Sequence, residues 1–164
     1  MTDHVFSAAD RFTVGTVGEV GARVFLLQAA QGSRRLTVKV EKQQIAVLAT
    51  YLTRAIEDLG RPGHLPEDLD LVLSPDDVID FVVGGLSVAI DDESGSVEVA
   101  IEEAGDDGAD TAIISVSKEQ AAAFAIRATQ LVEAGRPPCP LCGFPLDPRG
   151  HDCPRTNGHR APLT

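Results

Sequence analysis

Arg11 to Val14 opens a period-two strand pattern that stops in a glycine-spaced stretch, Gly15, Gly18 and Gly21. From Arg23 to Ala30 the alternation resumes, with Phe25, Leu27 and Ala29 on one face, and Gln31-Gly32-Ser33 supplies a turn. Arg35 to Val40 alternates again through Leu36, Val38 and Val40. At Glu41 the period changes: Ile45, Leu48, Ala49, Leu52, Ile56 and Leu59 recur at helical spacing until Gly60 stops the run. The series then begins afresh. Asp80 to Val83 opens it, Ser87 to Ile90 runs into the turn Asp91 to Ser96, Val97, Val99 and Ile101 alternate, and Thr111 to Val116 follows the turn Gly105 to Gly108. Ser117 with Gln120 forms a capping-box pattern ahead of the helical stripe Ala121, Phe124, Ala125, Ala128, Leu131 and Val132.

These elements predict an α+β fold of two β-β-β-α units, at about residues 10–60 and 80–135, whose strands form an antiparallel sheet with two helices on one face. A shift of 76 residues superposes the two strand-to-helix corners with eight identities in 23 positions, among them Lys42 on Lys118, Gln44 on Gln120, Ala49 on Ala125, Thr53 on Thr129, Glu57 on Glu133 and Pro62 on Pro138. Phe12-Thr13-Val14-Gly15 matches Phe81-Val82-Val83-Gly84 at a shift of 69. Internal duplication is the expectation. In the connection, Leu69 to Leu73 reads as a short strand and Ser74-Pro75-Asp76-Asp77 as the cap of a helical turn.

Charge divides the chain near Arg136. Residues 1–135 carry 10 Lys+Arg against 23 Asp+Glu, a net of −13, and no Cys; residues 136–164 carry four Arg against two Asp, a net of +2, and all three Cys. Pro137-Pro138 cannot continue a helix and stiffens the junction. The chain is therefore read as a body, 1–135, and a tail, 136–164. The overall charge of −11 opposes broad affinity for nucleic acid, which depends on neutralising phosphates. No run approaches the roughly 18 apolar residues of a membrane span, and the start, Met1-Thr2-Asp3-His4, lacks the marks of a signal peptide, so a cytoplasmic protein is expected.

The tail carries the strongest chemical signal. Cys139-Pro140-Leu141-Cys142-Gly143 has the form of a zinc knuckle, in which two thiolates spaced by two residues share one metal ion. His151-Asp152-Cys153 follows a Pro-Gly-shaped turn, and His159 lies six residues beyond Cys153. Cys139, Cys142 and Cys153 with either His151 or His159 make a closed tetrahedral set for a structural Zn²⁺, and closure leaves no position for a reactive water. The acidic turns at Asp76-Asp77, Asp91-Asp92-Glu93 and Asp106-Asp107 lack calcium-loop spacing. Gly15 to Gly21 lacks the Gly-Lys-Ser/Thr of a phosphate loop and reads as a hairpin turn. His4 and His64 read as surface loop residues, no nucleophile motif is present, and no catalytic residue is assigned. Lys42 and Lys118, with Gln44 and Gln120, are candidates for a pseudo-symmetric site between the units.

The run from Cys139 to Gly158, with Phe12 to Glu19 and Val38 to Gln44, resembles an uncharacterised actinobacterial family, domain of unknown function 3090. The resemblance covers nearly the whole chain and implies small cytosolic proteins whose Cys-Pro-x-Cys and Gly-His-x-Cys-Pro-Arg elements are hallmarks. It thereby favours His151 over His159 as the fourth ligand. The expected role is a non-enzymatic, zinc-containing binding or adaptor protein, with Arg149, Arg155 and Arg160 meeting a protein partner. The competing readings are a zinc-ribbon nucleic-acid protein, disfavoured by the low tail charge, and an enzyme or regulatory subunit with a pocket between the units.

Overall fold

The computed structural model describes residues 3–18, 23–66, 72–74, 78–105, 110–133, 151–152 and 160–161. Chain order is β1 (Asp3–Phe6), β2 (Arg11–Val17), β3 (Val24–Gln31), β4 (Arg34–Val40), α1 (Lys42–Leu59), β5 (Phe81–Asp91), β6 (Ser96–Glu103), β7 (Thr111–Ser117), α2 (Lys118–Glu133), β8 (His151–Asp152) and β9 (Arg160–Ala161). The fold is α+β, and β1 to β7 form one sheet in the order β1-β7-β6-β5-β4-β3-β2.

Within each pass the three strands form an antiparallel meander, as the short turns require. The sheet is nevertheless mixed, not antiparallel throughout. β4 pairs with β5 in parallel, because the chain crosses over through α1 before the next strand. β1 pairs in parallel with β7, taking beside the second meander the place that β5 takes beside the first. β1 escapes periodicity because it has only four residues; His4 belongs to it and is half-buried, its ring 6.0 Å from that of Phe81, not a surface loop residue. β5 runs unbroken where the sequence suggested two short segments, with a register shift between Val83 and Gly85. Gly15 sits inside β2 and does not end it. Val72 to Ser74 are not part of a strand, while Leu69 to Leu71 and Pro75 to Asp77 lie outside the described residues.

The sheet is rolled. Seven flat strands at about 4.8 Å spacing would put the edges about 29 Å apart, yet β1 and β2, at opposite ends of the order, are joined by residues 7–10, which span less than about 18 Å. That link bridges the two meanders: Ala9 N donates to Ser115 O (3.0 Å) and Asp10 N to Ala30 O (2.8 Å). The turn between β3 and β4 holds it from the other side, with Gly32 N on Asp10 Oδ2 at 2.6 Å and the Arg34 guanidinium 5.2 Å above the Phe6 ring.

Both helices pack on the inner face. α1 buries Ile45, Leu48, Ala49, Leu52 and Ala55, and α2 buries Ala121 to Ala125 and Ala128, so small residues bring α2 close to its neighbours. They meet Phe12, Val14, Leu27, Leu36, Val38, Val97, Val99, Ile101 and Ile114 in a single core, where the Phe12 and Phe124 rings stack with centroids 4.3 Å apart. Among the described residues no helix is long and apolar enough to cross a membrane.

The outer faces of the two meanders differ. In the first, Thr13, Leu26, Gln28 and Thr37 are buried although they point away from the core. Residues 72–74 cover them: Ser74 N donates to Gln28 Oε1 (2.8 Å), Gln28 Nε2 donates to Ser74 O (2.7 Å), and Arg11 Nη2 donates to Val72 O. Gly15 admits this strap, since a Cβ there would stand 3.1 Å from the Leu73 side chain. In the second meander β6 and β7 alternate between buried positions on the core face and exposed or half-buried positions on the outer face.

Candidate functional site

Two clefts flank the helix pair. Ala46, near the start of α1, shares one with Glu133 at the end of α2, whereas Leu59, at the end of α1, shares the other with Lys118 at the start of α2. The helices are therefore antiparallel. Lys42 and Lys118 consequently sit at opposite ends of the pair, and the structure does not bring them together.

Gln44 and Gln120 have work inside the fold. Each accepts the backbone N–H three residues before it, Glu41 N at 2.8 Å and Ser117 N at 2.9 Å, closing the first turn of its helix. Each then donates its amide to the neighbouring chain, Gln44 Nε2 to Val83 O at 3.1 Å and Gln120 Nε2 to Ala9 O at 2.8 Å. The matched position thus ties the start of α1 to Val83 within β5 and the start of α2 to Ala9 just after β1, the two strands that pair in parallel with the strand before each helix.

The first cleft, about 470 Å³, is lined by Ala49, Thr53, Arg54 and Glu57 of α1 and by Thr129 and Glu133 of α2, so two pairs that match at the 76-residue shift, Thr53 with Thr129 and Glu57 with Glu133, contribute to its walls. Its threonine hydroxyls are committed, Thr53 Oγ1 donating to Ala49 O and Thr129 Oγ1 to Ala125 O, each at 2.8 Å. The second, about 700 Å³, is rich in hydroxyls, with Ser7, Ser94, Ser96, Ser115 and Ser117 beside Lys118. Ser117 Oγ accepts from Gln120 N at 3.0 Å, and the Ser94 and Ser96 hydroxyls bond each other at 2.6 Å. Among the described residues neither lining contains a His or Cys to activate these hydroxyls. Asp91 opens the turn here. The Ser94 hydroxyl, with the backbone N–H groups of Ser94 and Glu93, holds its carboxyl below the ordinary carboxylate value.

Among the described residues no group of three or more His, Cys, Asp or Glu side chains is placed to hold a metal ion. Cys139, Cys142, Cys153, His159, Arg149 and Arg155 lie outside the described residues, and of His151 and Arg160 only the strand positions are described. There β8 and β9 pair antiparallel, His151 opposite Ala161 and Asp152 opposite Arg160, in a ladder separate from the main sheet.

A family model described as "Protein of unknown function (DUF3090)" matches residues 4–153. The chain belongs to this family. No curated protein and no solved structure matches it. The DUF3090 match runs from β1 to Cys153, so it takes in Cys139, Cys142 and His151 and stops six residues before His159.

Sequence reasoning did not single out Gln28, whose amide fastens the strap. The available signal was the unbroken run Val24 to Ala30, apolar on both strand faces apart from that one amide, which marks a strand covered on both sides.

Proposed function

We propose that this chain is a non-enzymatic binding protein in which a zinc-ordered tail is carried on an acidic α+β body. Cys139, Cys142, Cys153 and His151 hold the Zn²⁺, with His159 as the alternative fourth ligand, and Arg149, Arg155 and Arg160 present the contact surface for a protein partner. The observation that carries this reading is the extent of the DUF3090 match, which closes on Cys153 and encloses every member of the donor set built on His151. Three thiolates and one imidazole suit a closed tetrahedral zinc site. A Pro-rich tail has little apolar surface from which to build a core, and metal binding contributes about 10–16 kcal/mol of apparent free energy in zinc peptides. The bound ion would order the loop, and its filled coordination sphere would give it no part in hydrolysis.

We further infer that the body arose by duplication of one β-β-β-α unit. The support is positional: Gln44 and Gln120 make equivalent bonds, Thr53 and Thr129 donate to equivalent carbonyls, and both pairs are identities at the 76-residue shift.

Elemental analysis of the purified chain beside Cys139→Ser, His151→Ala and His159→Ala variants tests the metal reading. The expected result is one zinc per chain, lost with Cys139 or His151 and kept without His159. Zinc retained in both of the first two variants overturns the ligand set. Capture from the native host tests the adaptor role: a partner whose recovery falls when Arg149, Arg155 and Arg160 become Ala is expected, and no partner from zinc-replete protein contradicts it.

A further inference from the structure

Among the described residues, no segment covers the outer face of the second meander as residues 72–74 cover that of the first. Register places Val5 beside Ile113, Ile113 beside Ala100 and Ala100 beside Ser87, one row running across β1, β7, β6 and β5 on the side away from the helices. Val5 is 48% and Ile113 39% exposed, and Ala100 borders a depression of about 210 Å³ that also takes in Gly85, Ser87 and Glu102. Glu98 and Glu102, both exposed, flank the row two residues to either side of Ala100 along β6. A solvated sheet face carries mostly polar side chains; here Val5, Ile113 and Ala100 form a short apolar strip that ends at Ser87, with two carboxylates beside it on β6.

We propose that the chain's own C-terminal segment, residues 134–164, docks on this face. The two passes are wound alike, and after α1 the chain turns back so that residues 72–74 cover the outer face of the meander that precedes the helix. After α2 the segment in the corresponding place is residues 134–164, and the match between passes extends past the helices to Pro62 and Pro138, so both exits carry proline at the same offset. Its length is ample, since 31 residues span far more than the width of four strands. Its charge is complementary: four Arg against two Asp give a net of +2, or +1 once three thiolates and Zn²⁺ are counted, beside Glu98 and Glu102. Docking would fix the tail against the body whatever metal the tail holds, and so does not rest on the zinc reading.

The test uses the full-length, zinc-replete chain with a benzophenone amino acid in place of Ile113, and in a second protein in place of Tyr51, which is exposed on α1. Irradiation followed by peptide mass spectrometry is expected to yield, from position 113, crosslinks within one chain to residues 134–164, and few from position 51. Glu98→Lys with Glu102→Lys should lower the yield from position 113 roughly threefold or more. Crosslinks from position 113 between two chains, crosslinks absent altogether, or equal yields from positions 113 and 51 would overturn the proposal. Zinc measured on the same samples separates the two readings, because crosslinking can persist in metal-free Cys139→Ser protein or vanish from metal-loaded protein.

Discussion

Replacing Gln28 by Ala isolates the device that closes the outer face of the first meander. The Gln28 side chain is 5% exposed and makes three bonds: Nε2 to Ser74 O at 2.7 Å, Nε2 to Thr37 Oγ1 at 3.2 Å, and Oε1 from Ser74 N at 2.8 Å. Each is worth about 0.5–1.5 kcal/mol net, and losing one partner strands the other only where water cannot reach it. Ser74 is half-buried, so its N–H and C=O regain water once the strap lifts, and Thr37, which is buried, does not. The expected loss is about 2–3 kcal/mol, against a few tenths for an ordinary surface change. For a chain of 164 residues that is a fall in Tm of roughly 4–12 °C. Urea denaturation gives the free energy, and native-state hydrogen exchange should show the Ser74 amide opening far more readily in the variant. Gln28→Glu adds a sign. A carboxylate cannot donate to Ser74 O and is costly to bury, so its pKa rises on folding. The variant is then closest to wild type below the unfolded carboxyl value of about 4.3 and loses stability as pH rises through the raised folded value. A loss under about 0.5 kcal/mol for Gln28→Ala, with Ser74 exchange unchanged, would refute the reasoning.

Gln44→Ala and Gln120→Ala, which remove equivalent bonds, should each cost about 1–2 kcal/mol in chemical denaturation, and a neutral result for either breaks the equivalence. Phe124→Ala deletes a stacked, fully buried ring and should cost about 3–5 kcal/mol by the same assay, less only if the core collapses into the space. Asp91 is held ionised by its turn, so its contribution to stability is present above the ordinary carboxyl value and is lost as pH falls through the lowered one. Ser94→Ala should move the Asp91 titration up toward 3.8, followed by carboxyl NMR, and an unmoved midpoint would contradict the assigned cause.

Strands and helices whose apolar residues keep a steady period were legible in the chain. Leu36, Val38 and Val40, or Ile45, Leu48 and Leu52, announce which face they bury because the core is the sole demand on them. What escaped were features set by long-range contacts. β1 is too short for alternation to register, and its pairing with β7 joins residues more than a hundred positions apart. The parallel pairing of β4 with β5 follows from the crossover through α1, which hydrophobic period does not encode. Gly15 looked like a turn residue and is instead the floor beneath Leu73, a use that depends on a segment 58 positions away. The candidate metal site is the opposite case. Cys139, Cys142 and Cys153 stand out by donor chemistry and spacing alone, with His151 and His159 both eligible as the fourth donor, because a tetrahedral ion asks for few residue types in few places.

The central claim is a closed zinc site of three thiolates and one imidazole, and zinc K-edge X-ray absorption of the full-length protein tests it most directly. The expected spectrum is that of a four-coordinate ion with three sulfur neighbours at about 2.3 Å and one imidazole nitrogen at about 2.0 Å. That shell should lose its nitrogen signature in His151→Ala and keep it in His159→Ala. A protein that carries no zinc, or a shell of oxygen and nitrogen with an exchangeable water, would contradict it.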